Sequence, residues 1–347
     1  MHKRAFKKAD GRVMFLYGNA PHTLPPLEEM EPAPVPHPHL RWHPLRQEWV
    51  VYAAHRQNRT FLPPPEYDPL SPTKPGGFPT EIPFETFEIA VFPNRFPSLT
   101  PHPGPPPGEI PVPVAPAQGE CEVVVYTPEQ TGSLATLSQE RRELLVRVWA
   151  DRYRELLARE EVRFVMPFEN RGEAVGVTLH HPHGQIYAYP FVPPVIEKEV
   201  HSFREGPVLV SLLNHAAPYV VCQDEYTLAI VPPFARYPYE VLVYPKRFHP
   251  GPWSFSDAEF ASFGQVLGEV VAKYDRLFAR PMPYIMLLHA APKGEEATFH
   301  FHVEFYAALR TRDKLKYLAG TEVGAGTFAV DALPEQTAKA LREVKAW

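Results

Sequence analysis

The sequence has little cysteine, no excess of positive charge and no long apolar run. Its two cysteines, Cys121 and Cys222, stand 101 residues apart, which excludes a disulfide framework and a metal knuckle built on a close cysteine pair. With 35 lysines and arginines against 40 acidic residues, the net charge is −5, so the electrostatic footprint of a nonspecific nucleic-acid binder is missing. No apolar stretch approaches the roughly 20 residues that cross a bilayer. The opening Met1–Lys8 is basic, but no apolar core follows it as in a signal peptide. These absences predict a cytoplasmic protein with neither a nucleic-acid nor a membrane partner.

Proline and histidine are plentiful instead. Of 347 residues, 44 are proline, more than twice the usual ~5%. A hydrophobic content of 44% and an aromatic content of 12% supply a core, which sets disorder aside. The prolines crowd into residues 1–120, which hold 26 of them, so a proline-rich N-terminal wrapping segment is expected. Within it, Glu48–Tyr52 and Phe87–Phe92 read as strand-like.

From residue 120 the pattern becomes regular and repeats. Glu122–Tyr126 reads as a strand. Ser138 is a helix N-cap, followed by Leu144, Leu145, Val148, Trp149, Leu156 and Leu157 at helical spacing. A strand from Val162 to Met166 leads through a turn at Asn170–Gly172 to a second strand, expected to end in His181-Pro182-His183. The second half repeats this order: strand Glu240–Tyr244, a capping box at Ser256–Glu259, strand Tyr284–Leu288, and a last strand expected to end in His300-Phe301-His302. Val125 to His183 is 58 residues and Val243 to His302 is 59, a spacing that indicates duplication. The predicted fold is α+β, two tandem units of antiparallel sheet with packed helices, divided as 1–195 and 196–347.

The densest chemistry is Thr178-Leu179-His180-His181-Pro182-His183-Gly184-Gln185. A lone strand histidine is more often structural, but three in four residues before Gly-Gln point to a site. On a strand, His181, His183 and Gln185 would share a face. A neutral imidazole is a nucleophile near pH 7; its attack on phosphorus splits one transfer into two steps. Gln185 can donate to a phosphoryl oxygen, and Gly184 is expected to clear space for a phosphate ester beside His183.

His181-Pro182-His183-Gly184-Gln185 resembles the signature of the galactose-1-phosphate uridylyltransferase family, in the histidine-triad superfamily. Lys3–Lys8, Asn94–Pro97, Phe168–Gly172, Pro232–Ala235 and Lys316–Phe328 extend the resemblance over nearly the whole chain. It implies ping-pong exchange of UMP between UDP-glucose or UDP-galactose and hexose 1-phosphates, with His183 as nucleophile and Gln185 beside it. It further implies phosphate contacts from Arg56 and Arg59, a uridine contact from Asn94, and nucleotide-phosphate contacts from Asn170 and Thr178. Hexose contacts from Lys316 and Glu322 would be donated across a homodimer, although Thr321 stands where the family has a tyrosine.

Two metal sites follow from the same resemblance. The family's cysteine zinc site falls here on Asp68, Ser71, a residue near Gln130, and His181; a serine and an amide are poor zinc ligands. The expectation is that this site has lost its zinc and that His181 is hydrogen-bonded instead. The second site, Glu199, His289, His302 and Glu304, suits one zinc or iron ion of structural role. His300, His302 and Glu304 are expected to share a strand face, which leaves His300 and Glu304 as alternatives for the last ligand. In the second repeat Val303 replaces the glycine and Glu304 the glutamine, so only the first repeat keeps the transfer residues. Two rivals remain at this level: an adenylyl-transferring relative such as an ADP-glucose phosphorylase, and a non-catalytic nucleotide-binding sensor.

Overall fold

Ser138 and Ser256 both cap helices in the computed structural model, which describes residues 1–23, 36–58, 67–77 and 79–347. The Arg141 amide donates to Ser138 Oγ at 3.2 Å. At Ser256 the capping box closes in both directions: the Glu259 amide donates to Ser256 Oγ, and Glu259 Oε2 accepts the Ser256 amide at 2.8 Å.

In chain order the first half runs β1 (His2–Lys7), β2 (Val13–Gly18), β3 (His39–His43), β4 (Glu48–Tyr52), β5 (Ile89–Pro93), β6 (Val114–Pro116), β7 (Glu120–Val125), α1 (Gln139–Leu157), β8 (Phe164–Arg171) and β9 (His183–Tyr189). The second half runs α2 (Pro194–Glu205), α3 (Val208–Leu213), β10 (Val220–Gln223), β11 (Thr227–Ile230), β12 (Val241–Pro245), α4 (Asp257–Leu277), β13 (Tyr284–His289), β14 (His302–Ala307), β15 (Leu309–Thr311), β16 (Lys314–Leu315) and α5 (Pro334–Glu343).

Eleven strands form one antiparallel sheet in the order β1-β2-β5-β7-β9-β8-β13-β14-β12-β11-β10. Its centre, β7-β9-β8-β13-β14-β12, reads the same from either end once each strand is matched to its copy. Phe168 pairs with Gln185 in the first unit, and Leu287 with Glu304 in the second. Phe168 and Leu287 then pair with each other across the junction. The duplication therefore becomes an internal two-fold, with its axis at Phe168 and Leu287. Pro167 fits inside the central strand β8 because the pairing with β13 stops at Phe168, where a proline N–H is not needed.

Alternation along the strands builds two layers. Val165, Ile186, Val243, Met286 and Val303 face α1 and α4 in the main core, with Trp149 and Phe263 from the helices. Each such side chain, fully buried, stabilises the fold by about 1.5–3 kcal/mol. The helices touch at Gly264, where a Cβ would lie 3.0 Å from the Arg142 backbone. On the opposite sheet face, Phe164, Leu242 and Tyr244 pack under Ile196, Val200 and Phe203 of α2.

Two expectations need correction. Neither histidine pair ends a strand: β9 opens at His183 and β14 at His302. Pro182 has no N–H for a ladder, and the Phe301 N–H goes to the His249 carbonyl at 2.7 Å. Asn170 lies in β8 rather than in a turn; the turn begins at Gly172, with φ at 93°. The proline-rich N-terminal third also carries β1 and β2, which the sequence pattern did not reveal and which extend the main sheet.

Candidate functional site

β9 lies between β7 and β8, with Val125 paired to His183 and Phe168 to Gln185. Its alternation turns Ile186 and Ala188 to the helices and leaves His183, Gln185 and Tyr187 half-buried on the other face. His183 Nδ1 lies 2.7 Å from the His181 carbonyl oxygen. A carbonyl can only accept, so Nδ1 carries the hydrogen and the Nε2 lone pair is the nucleophilic one. Asn94, which follows β5, donates from Nδ2 to Gln185 Oε1 at 3.3 Å. That contact orients the amide with its Nε2 as the remaining donor.

The structure assigns Gly184 a different reason from the expected one. A Cβ there would collide with the Tyr126 hydroxyl and lie 2.8 Å from the Phe168 carbonyl oxygen. Gly184 admits the core behind His183; it does not open space in front of it.

His181 does not share the face of His183. It is 3% exposed and turned away, with Nδ1 2.6 Å from Asp68 Oδ2 and Nε2 2.7 Å from the Thr127 carbonyl. Ser71 Oγ donates to the same Asp68 oxygen at 2.6 Å, and Gln130 Nε2 donates to Ser71 Oγ at 3.0 Å. Burial would raise the Asp68 carboxyl; the bonds from His181, Ser71 and the Leu70 amide outweigh it and hold it below the usual range. The hydrogen bonding expected of His181 is thus observed, and Asp68, Ser71, Gln130 and His181 are gathered in one knot.

In the second repeat, Glu199, His289, His302 and Glu304 offer ligand atoms within 4.8 Å of one another. Glu199 of α2 lies 3.0 Å from His289 Nδ1 and 3.6 Å from His302 Nε2. His302 Nδ1 donates to the His300 carbonyl at 2.9 Å, which turns Nε2 inward just as in His183. Burial would lower the His302 imidazole, but Glu199 and Glu304 raise it to about 8. Two imidazoles and two carboxylates fit a divalent zinc or iron ion. His300 is excluded from the set: it precedes the strand, and its Nε2 bonds to the Pro245 carbonyl at 3.0 Å. Burial first, then the charge of His302, pushes its imidazole down to about 4.

Two family models match the chain, "Galactose-1-phosphate uridyl transferase, N-terminal domain" over residues 29–193 and "C-terminal domain" over residues 210–347. The chain belongs to the galactose-1-phosphate uridylyltransferase family. A galactose-1-phosphate uridylyltransferase of Thermotoga maritima is 40% identical over 318 residues, 88% of this chain and 98% of that protein. One of Streptomyces lividans is 33% identical over 372 residues, 99% of this chain and 98% of that protein. A solved structure of a uridylyltransferase superposes with a TM-score of 0.80 at 29% identity, covering 88% of this chain and 98% of that one.

The remaining residues that resemble the family's contacts divide into two groups. Asn170 sits two residues beyond Phe168, the partner of Gln185, and so on the same sheet face as His183. Thr178 lies in the segment that leads into β9. Arg56 donates from Nη1 to the Phe96 carbonyl at 2.7 Å, two residues from Asn94. Arg59 lies outside the described residues. Lys316 and Glu322 pair with each other at 2.7 Å on a separate segment after β14.

Sequence reasoning missed Tyr126 behind Gly184 and Thr127 beneath His181. It also missed Arg236, which bonds to Tyr306 and lies 3.4 Å from Glu304. The only signal for Tyr306 was its place one strand repeat beyond Glu304.

Proposed function

We propose that this chain moves UMP between UDP-glucose and galactose 1-phosphate through a covalent intermediate on His183. The observation that carries the reading is the 2.7 Å bond from His183 Nδ1 to the His181 carbonyl, beside Gln185, in a chain that matches the uridylyltransferase family along most of its length. In the first step Nε2 attacks the α-phosphorus of UDP-glucose. A P–N bond forms, the P–O bond to the sugar phosphate breaks, and glucose 1-phosphate leaves. In the second step a phosphate oxygen of galactose 1-phosphate forms the new P–O bond as the P–N bond breaks. Gln185 Nε2 is placed to donate to a non-bridging oxygen where charge builds up, an interaction of the kind that carries much of such catalysis.

Asn94 orients Gln185, and Asn170, Thr178, Arg56 and Arg59 are assigned to the nucleotide and its phosphates by family resemblance. Lys316 and Glu322 are assigned to the hexose in the same way, with a homodimer bringing them to a partner's nucleophile. Glu199, His289, His302 and Glu304 would hold one zinc or iron ion. That ion would tie α2 to β13 and β14, a structural duty, because the nucleophile belongs to the other unit. We divide these units as 1–195 and 196–347, and we place the protein in the cytoplasm.

The test is product analysis with UDP-glucose and galactose 1-phosphate, with ADP-glucose as the competing donor. UDP-galactose and glucose 1-phosphate are expected, and His183→Gly is expected to abolish them. Transfer from ADP-glucose alone would assign the chain to the adenylyl reading. Turnover from neither donor would leave the sensor reading.

A further inference from the structure

The knot around His181 lies immediately before the nucleophile in the chain, and no step of the reaction above uses it. Three separate segments meet there. The loop at 67–77 brings Asp68 and Ser71, the connection after β7 brings the Thr127 carbonyl and Gln130, and the residues before β9 bring His181. We propose that Asp68 is a positioning residue for His183, acting through His181. This rests on His183 being the nucleophile.

A continuous chain of hydrogen bonds links Asp68 to His183. Asp68 Oδ2 and the Thr127 carbonyl are both acceptors, one on each side of the His181 ring, at 2.6 and 2.7 Å. The ring is therefore held at two points, one at each nitrogen. Asp68 is itself held, by Ser71 Oγ at 2.6 Å and by the Leu70 amide at 3.0 Å. A fixed ring fixes its own main chain, and the His181 carbonyl is the group that receives His183 Nδ1–H at 2.7 Å. His181 stands outside the strand ladder, so sheet pairing does not set that carbonyl. Next to it, Pro182 shares a ladder-like bond, its carbonyl accepting the Tyr126 amide at 3.0 Å. Loss of Asp68 would free the His181 ring on one side. The His181 carbonyl would then turn, and His183 would lose both its tautomer preference and its aim. Misplacement on the order of 1 Å costs about a hundredfold in rate.

The test compares Asp68→Ala, Asp68→Asn and Thr73→Ala with the wild type. Thr73 bonds to Thr80 in the same region and does not touch His181, so it reports general damage to the loop. The first readout is the single-turnover release of glucose 1-phosphate from UDP-glucose, with UDP-glucose affinity measured separately. The second is the His183 tautomer from long-range 1H–15N correlation, with the signal assigned by its absence in His183→Asn.

Asp68→Ala is expected to slow release about ten- to hundredfold, with affinity changed less than about threefold and the Nδ1–H signature of His183 lost. Asp68→Asn, which keeps an oxygen acceptor, should fall between Ala and wild type, and Thr73→Ala should match wild type. An unchanged rate and signature in Asp68→Ala, or an equal loss in Thr73→Ala, overturns the proposal. Should Asp68→Ala not fold, Asp68→Asn decides, and a wild-type rate and signature there overturn it. A wild type that releases no glucose 1-phosphate refutes the nucleophile reading instead; the tautomer comparison then still tests whether Asp68 sets His183.

Discussion

His183 and His302 occupy the same position in the two units, and each donates from Nδ1 to the carbonyl two residues before it, at 2.7 and 2.9 Å. One geometry thus serves two ends. Beside His183 stands Gln185, a neutral amide held by Asn94. Beside His302 stand Glu304, Glu199 and His289, whose ligand atoms lie within 4.8 Å of one another and of the same inward-turned ring. What separates the units is the charge of the neighbours, not the backbone.

Gln185→Ala should slow both half-reactions by about 10²–10³, the usual effect of removing one donor to developing charge. The fold should be unaffected, because Gln185 faces away from the main core. Separate single-turnover measurements with UDP-glucose and with galactose 1-phosphate check this.

Gly184→Ala should destabilise the protein by about 1–3 kcal/mol through overpacking. The obstruction is the Tyr126 hydroxyl together with the Phe168 carbonyl. Adding Tyr126→Phe removes the first of these and should recover part of the loss. Urea unfolding of the single and double variants reads the effect. No recovery would mean that the collision with Tyr126 is not the cause.

Removing metal should lower the melting temperature, and Glu199→Ala should bind less metal than wild type. If the ion binds only the folded state, hundredfold saturation contributes about 2.7 kcal/mol. The folded fraction of Glu199→Ala should still take label on His183, because the ligands belong to the other unit. Metal analysis with and without chelator, beside melting curves, checks both statements.

Glu169 gives a pH signature. Its Oε1 accepts from the Tyr284 hydroxyl at 2.8 Å, and burial pushes its carboxyl up to about 7 from 4.5. The folded state then holds this proton more tightly than the unfolded state. The stability it contributes is present below pH 4.5 and is lost as pH rises through about 7. Glu120 and Glu240, also raised to about 7 by burial, act in the same direction. Unfolding between pH 5 and 8 should show Glu169→Gln losing less stability than wild type over that range.

The sequence carried the duplication, the two helix caps and the ends of β4 because these rest on local spacing and local chemistry. Ser138 and Ser256 cap whatever helix follows them. The pairing of Phe168 with Leu287 was not legible, since nothing local says which strand of one unit meets which of the other. The histidine faces were misread for a single reason: alternation was applied to residues before the strand begins. His181 and His300 each sit two residues ahead of a strand-opening histidine, and each bonds its ring to main-chain oxygen away from the site. β1 escaped because His2–Lys7 carries charge on both faces, as an edge strand can. The gathering of Glu199, His289, His302 and Glu304 was anticipated residue by residue, whereas Arg236 beside Glu304 needed the fold to bring it there.

The most direct measurement is to react the protein with UDP-glucose labelled in the α-phosphate, with no acceptor sugar present, and to map the label. The account predicts one UMP per active site, bound through nitrogen to His183, with an equal amount of glucose 1-phosphate released and full transfer of label to UDP-galactose when galactose 1-phosphate is added. Label on another residue, or exchange that proceeds with no labelled protein, would contradict it.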